Sequence, residues 1–145
     1  MATLLDRVRG MIAGTAPNPP VADLIGFRIV DVEAGRAVFT LDAGPQHANP
    51  MGTLHGGILC DLADAAMGIA YASTLAEGES FTTLELKINF FKPVWTSHLT
   101  ATARIVKGGK TVGMTECDVL DEKGSLVARA SSTCMTLSGT KAEGR

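Results

Sequence analysis

Two short features of the chain have the residue types and spacing to act on a carbonyl. His55-Gly56-Gly57 runs directly into an apolar, proline-free segment that begins at Ile58. A helix starting there leaves the amides of Gly56 and Gly57 without intrahelical partners, and the macrodipole adds partial positive charge. Glycine lets a ligand oxygen come close to the backbone. Such a helix end suits a carbonyl whose oxygen becomes negative during attack. Asp64 lies two helical turns beyond Gly57, among Leu62, Ala63, Ala65 and Ala66. Desolvation there should raise its pKa, which suits a general base or a nucleophile. Asp61 is a second carboxylate on the same segment. Facing the same cavity, it would raise Asp64 further; facing elsewhere, it would need a buried partner.

Charge gives a third signal. The 145-residue chain has a formal net charge of −2, which argues against a general nucleic-acid binder. Yet Leu86 to Thr115 holds Lys87, Lys92, Arg104, Lys107 and Lys110 and no acidic residue. Lys107 and Lys110 flank Gly108-Gly109 and are the best placed to meet a phosphate, although such residues are also common as solvated turn lysines. That turn joins two strands and opens no helix, so it is not a P-loop. His47 and His98 read as surface residues, and the three histidines show no metal-ligand spacing, so no metal is expected. Cys60, Cys117 and Cys134 form no CxxC pair and read as reduced thiols of a cytoplasmic protein.

These residues need elements to position them. Residues 1–20 read as an N-terminal helix, with Leu4, Leu5, Val8, Met11 and Ile12 on one face, followed by a proline-rich linker. Residues 21–138 read as one domain, and 139–145 as a polar tail. Leu24 to Asp31 and Arg36 to Leu41 are expected to be strands. Ile58 to Leu75 is expected to be a long helix, apolar on nearly every face and therefore buried all round. Its uncharged run, Ala65 to Ala76, is too short for the ~20 residues of a membrane span. Ser80 to Lys92, Ser97 to Lys107, Thr111 to Asp121 and Ser125 to Leu137 complete an antiparallel set. The expected fold is α+β, an antiparallel sheet wrapped around a long central helix. Apolar residues are 46% of the chain but aromatic ones only 5%, so small aliphatic side chains must make the close helix–sheet contact. An apolar excess in so small a chain also hints at oligomerisation.

Asn49-x-x-Gly52-x-x-His55-Gly56-Gly57 followed by Leu62-Ala63-Asp64 resembles the hotdog-fold thioesterases. The likeness is strongest to the phenylacetate-pathway, PaaI-like group of the 4-hydroxybenzoyl-CoA thioesterase superfamily. It extends over roughly residues 24–137 and includes Lys87-Ile-Asn-Phe-Phe-Lys-Pro93 and the Gly108-Gly109-Lys110 turn. The resemblance implies that Asp64 is the catalytic carboxylate and that the Gly57 amide polarises the thioester carbonyl. It implies that His55 and Asn49 line the site and orient thioester, water or carboxylate. Thr83 falls where relatives often have a Ser or Thr that holds the water, and is expected to act on the Asp64 of a partner chain. Gly56, Lys107, Gly109 and Lys110 are then candidates for contacts with coenzyme A.

The expected activity is hydrolysis of an aryl or short- to medium-chain acyl-CoA thioester to free coenzyme A and a carboxylic acid. Coenzyme A is part of the substrate, and no separate cofactor, nucleic acid or membrane partner is expected. The resemblance implies a homodimer as the site-forming unit and a homotetramer as the assembly. A hotdog hydratase–dehydratase acting on enoyl or hydroxyacyl thioesters, and a non-catalytic acyl-CoA-binding protein, are the alternatives. Turnover of crotonyl-CoA would mark the first, and ligand binding without coenzyme A release the second.

Overall fold

The computed structural model describes residues 2–145. Helix α1 (Leu4–Ala13) starts on a capping box in which Thr3 and Asp6 satisfy each other's backbone amides. Helix α2 (Pro20–Ile25) follows, with Pro20 in its first turn and Gly26 closing it at φ 101°. This corrects the expectation of a strand from Leu24. Six residues are too few to display a helical period, and Leu24-Ile25 runs into the apolar strand that follows. Strands β1 (Arg28–Glu33) and β2 (Arg36–Ala43) then form a hairpin.

After an irregular loop, helix α3 (Gly56–Ala72) packs across the sheet. It begins two residues before the expected start and ends three before the expected stop. The remaining strands are β3 (Ser80–Phe90), β4 (Ser97–Gly108), β5 (Val112–Leu120) and β6 (Leu126–Leu137). All neighbours pair antiparallel in the order β1-β2-β4-β5-β6-β3, so β3 is an edge strand although it lies mid-chain. This is the expected α+β architecture.

The core lies between α3 and the concave face of the sheet. Ala63, Ala66 and Ala70 of α3 and Ala37, Ala101, Ala103 and Ala128 of the strands have lost essentially all solvent contact. These small side chains bring helix and sheet close, while Leu62, Met67, Leu99 and Val127 fill the space between them. Helix α1 is seated on the same core through Val8, with Leu5 and Met11 packed beside it.

The helix is not buried all round, as its composition suggested. The sheet covers one side of α3 and the N-terminal segment lies against another, but Asp61 and Asp64 remain exposed. Edge strand β3 runs past this open strip. Its register slips between Thr83 and Glu85, leaving Leu84 as a bulge. A one-residue bulge exchanges the two faces of a strand. Phe81 and Thr83 therefore face α3 before it, and Leu86, Ile88 and Phe90 after it. Among the described residues, no helix is long and apolar enough to cross a membrane.

Candidate active site

Helix α3 carries candidate chemistry at two separate stations. At its N-terminus, His55 is the N-cap and its Nδ1 accepts the Gly57 N–H at 2.9 Å. Asn49 stands in the loop just before. Its Oδ1 accepts the amides of Met51 and Thr53, and its Nδ2 donates to Thr53 Oγ1. His55 and Gly57 are joined at the helix end and Asn49 organises the loop before it, so each is partly committed to holding the loop and the helix end. Phe90 closes against this station from β3: a Cβ added to Gly56 would lie 2.9 Å from its ring. Only glycine lets that ring pack over the first turn.

Asp64 forms the second station with Thr83, whose hydroxyl donates to Oδ1 across a long 3.4 Å contact. Both residues belong to the same chain, which corrects the expectation that Thr83 serves the Asp64 of a partner. The reason is the bulge at Leu84: it keeps Thr83 on the face turned toward its own α3. Apolar surroundings push the Asp64 carboxyl above the usual carboxylate range, the Thr83 hydroxyl pulls it part of the way back, and Asp61 adds a smaller upward push. Asp61 lies in the same open cleft, so its neighbouring charge does act on Asp64, and its own carboxyl is raised by desolvation. Asp64 is nevertheless reachable by solvent.

The Asp64–Thr83 pair stands where two hollows meet. One is a shallow cleft bordered by Cys60, Asp61, Leu84 and Leu86. The other is an apolar cavity of about 230 Å³ that runs beneath the N-terminal segment, lined by Phe27, Phe39, Ala65, Ile69 and Phe81 among others. Sequence reasoning missed this cavity because its walls come from segments far apart in the chain.

The basic stretch is less uniform than its composition suggested. Lys92 pairs with Asp121 and Arg104 with Glu116, so these charges are already matched. Lys107 and Lys110 have no ion pair among the described residues and sit with Gly109 at the β4–β5 turn. Three strand spacings separate this row of the sheet from Thr83, about 14 Å. His98 is at the surface, bonded to Asp42, but His47 is buried, contrary to expectation. Its ring links the Gly44 amide to the Ile25 carbonyl, and these partners are brought together only by folding. Cys117 and Cys134 are buried as expected, and burial pushes the Cys117 thiol up to about 12; Cys60 is only half-buried. No group of three or more His, Cys, Asp or Glu is placed to hold a metal ion among the described residues.

Comparison with known proteins sets this geometry in a family. The family model of the thioesterase superfamily matches residues 51–128, which span α3 with His55, Gly57 and Asp64, Thr83, and strands β3 to β5. The chain belongs to the thioesterase superfamily. Acyl-coenzyme A thioesterase PaaI of Escherichia coli is 30% identical over 124 residues, 85% of this chain and 86% of that protein. The 1,4-dihydroxy-2-naphthoyl-CoA hydrolase of Listeria monocytogenes is 33% identical over 105 residues, 72% of this chain and 85% of that protein. The solved structure of the E. coli PaaI protein superposes with a TM-score of 0.82 at 27% identity, covering 95% of this chain and 99% of that one. The chain is thus a hotdog-fold thioesterase of the PaaI-like type, a thioester hydrolase. The superfamily model's match begins at Met51, so helices α1 and α2 lie outside it, although the superposition on the E. coli PaaI structure takes in α2 and at least part of α1.

Proposed function

We propose that this thioesterase hydrolyses acyl-coenzyme A thioesters to coenzyme A and a carboxylic acid, at sites shared between two copies of the chain. The observation that carries the reading is the junction at Asp64: a carboxylate with a raised pKa, held by Thr83, between an apolar cavity and an open cleft. The acyl group enters the cavity, the thioester carbon rests at Asp64, and the coenzyme A arm leaves along the cleft. Asp64 either takes a proton from water as that water adds to the carbonyl carbon, or adds to it directly. In the first route the tetrahedral intermediate expels the thiolate and leaves the acid. In the second the thiolate leaves a mixed anhydride, which water then opens.

The carbonyl oxygen needs a donor while it is negative, and the Gly57 amide of the same chain is poorly placed for this. Seven residues of helix put it about 10 Å from Asp64 along the axis, and helix N–H groups point away toward the N-terminus. A reacting carbon lies ~3–3.5 Å from its attacker, and its oxygen ~3 Å from a donor. The Gly57 amide, His55 and Asn49 therefore serve the Asp64 and Thr83 of the partner, and the open strip of α3 is where the copies meet. His55 yields its bond to the Gly57 amide when the carbonyl arrives, or shares it. Lys107, Lys110 and the Gly109 turn, with Gly56 at the helix end, contact the coenzyme A portion. The unit is a homodimer that assembles further into a homotetramer, acts in the cytoplasm and needs no cofactor beyond its substrate.

The test is coenzyme A release from a panel of aryl and aliphatic thioesters by wild type and Asp64→Asn. The substitution keeps the shape and removes both base and nucleophile. A loss of about 10²-fold or more in kcat is expected. Full activity in Asp64→Asn would overturn the assignment.

A further inference from the structure

The apolar cavity behind Asp64 is not made by the superfamily segment alone. Val8 and Met11 of α1 and Asn18, Pro19, Val21 and Ala22 around α2 form one whole side of it. The opposite side is α3, at Asp64, Ala65, Gly68 and Ile69, with Phe81 and Thr83 of β3 beside it. Every polar side chain of this lining other than Asn18 belongs to the Asp64–Thr83 mouth.

Two details show that the hollow is maintained. Gly68 occupies the interior of α3, where alanine is the better helix former. A Cβ there would lie 3.1 Å from the Phe81 ring, so any side chain would displace a ring that itself lines the cavity. Across from it, Met11 is only half-buried, whereas Val8 one turn earlier is fully buried and anchors α1. Methionine is unbranched and conformationally adaptable, which suits a wall that must fit the end of a variable group. A dry apolar cavity of ~150 Å³ accepts benzene. The 230 Å³ here leaves room for one ring and a short linker, or for an aliphatic chain of similar volume.

We propose that the N-terminal segment is the acyl-selecting wall of this enzyme, with Met11 limiting the size of the acyl group from one side and Gly68 keeping it open from the other. The inference rests on the acyl-CoA reading above and goes beyond it by naming the residues that set specificity. Acyl groups of single-ring or medium-chain size fit, and long chains are stopped by α1.

The experiment compares kcat/KM for acetyl-, hexanoyl-, phenylacetyl- and dodecanoyl-CoA in full-length wild type, Met11→Ala, Met11→Trp and Gly68→Ala. One methylene of pocket space is commonly worth tenfold or more in discrimination. Met11→Ala should raise the dodecanoyl-to-hexanoyl ratio about tenfold. Met11→Trp and Gly68→Ala should both lower phenylacetyl and hexanoyl relative to acetyl. Calorimetric titration of Asp64→Asn, alone and combined with each wall variant, reads the same size preference without turnover. Wild type inert toward the whole panel would refute the hydrolytic reading, and the titrations would still decide this one. A size preference that stays the same in all three wall variants, with their thermal unfolding intact, would overturn the proposal.

Discussion

Mixing two inactive variants should restore activity, and the amount restored follows from the geometry of α3. The variants are Asp64→Asn, which removes the carboxylate, and Gly57→Pro, which removes the amide. Proline is tolerated in the first turn of a helix, where its missing N–H breaks no intrahelical bond. Its ring also displaces His55, because even a Cβ at position 57 would lie 2.9 Å from the His55 Nδ1. That displacement damages the same station, so it does not confuse the outcome. The two stations are about 10 Å apart along one helix, too far to serve one carbonyl. In the proposed dimer each site therefore draws Asp64 from one copy and Gly57 from the other. In a mixed dimer of the two variants, one site carries both lesions and the other carries neither. Equal mixing with free exchange makes about half of the two-fold dimers mixed, so about a quarter of wild-type sites should return. The assay is coenzyme A release after the variants are co-refolded or co-expressed, with dimer exchange verified by differently tagged chains. If exchanged dimers show no more activity than the separate variants, Asp64 and Gly57 do not meet across two copies.

Four further outcomes are expected. As the proposed base or nucleophile Asp64 must be ionised, and its carboxyl is raised by desolvation, so kcat/KM should fall on the acid side at a higher pH than an ordinary aspartate would give. Thr83→Val, which removes the donor that pulls the carboxyl down, should move that acid limb to still higher pH. The same raised value has a stability consequence of definite sign. Its stabilising contribution is complete below the unfolded pKa and lost as pH rises through the folded one, so Asp64→Asn should raise Tm at pH 7 but not at pH 3. His47→Ala should destabilise the fold by about 2–3 kcal/mol in urea unfolding, because it leaves the Gly44 amide and the Ile25 carbonyl without their buried partner.

The parts of this molecule that were legible in its sequence are those governed by local pattern. The proline-free run after Gly57 announced α3, and four β-rich runs with two short turns announced the strands β3 to β6 and the hairpins β4–β5 and β5–β6, but not the place of β3 beside β6 at the sheet edge. The spacing of Gly57 and Asp64 placed both candidate groups on that helix, and the structure keeps them there. What was not legible depends on contacts between distant segments. His47 looked like a surface residue because its acceptor, Ile25, is 22 residues away. The cavity joins α1 to β3 across most of the chain, and no periodicity reports such a meeting. The bulge at Leu84 did leave a trace. Phe81 and Thr83 sit at odd positions, while Leu86, Ile88 and Phe90 sit at even ones. That change of parity within one strand is what turns Thr83 toward its own Asp64.

The division of α3 into two stations has a further consequence for Asp61. If Gly57 of each copy stands over Asp64 of the other, the two-fold axis passes the midpoint of that segment, between Cys60 and Asp61. Asp61 then faces its own counterpart, and its carboxyl is already raised by desolvation in the single chain. Two like charges at ~4 Å repel by between about 1 kcal/mol in water and about 4 kcal/mol near a protein surface. Asp61→Asn should therefore tighten the dimer at pH 7 by about tenfold in Kd, since each 1.4 kcal/mol is a factor of ten. At pH 4 the wild-type carboxyls are increasingly protonated and the advantage should shrink. Sedimentation equilibrium of both proteins at the two pH values measures this directly. A variant that dimerises no better at pH 7, or gains equally at both, would mean that the copies do not meet across this strip of α3.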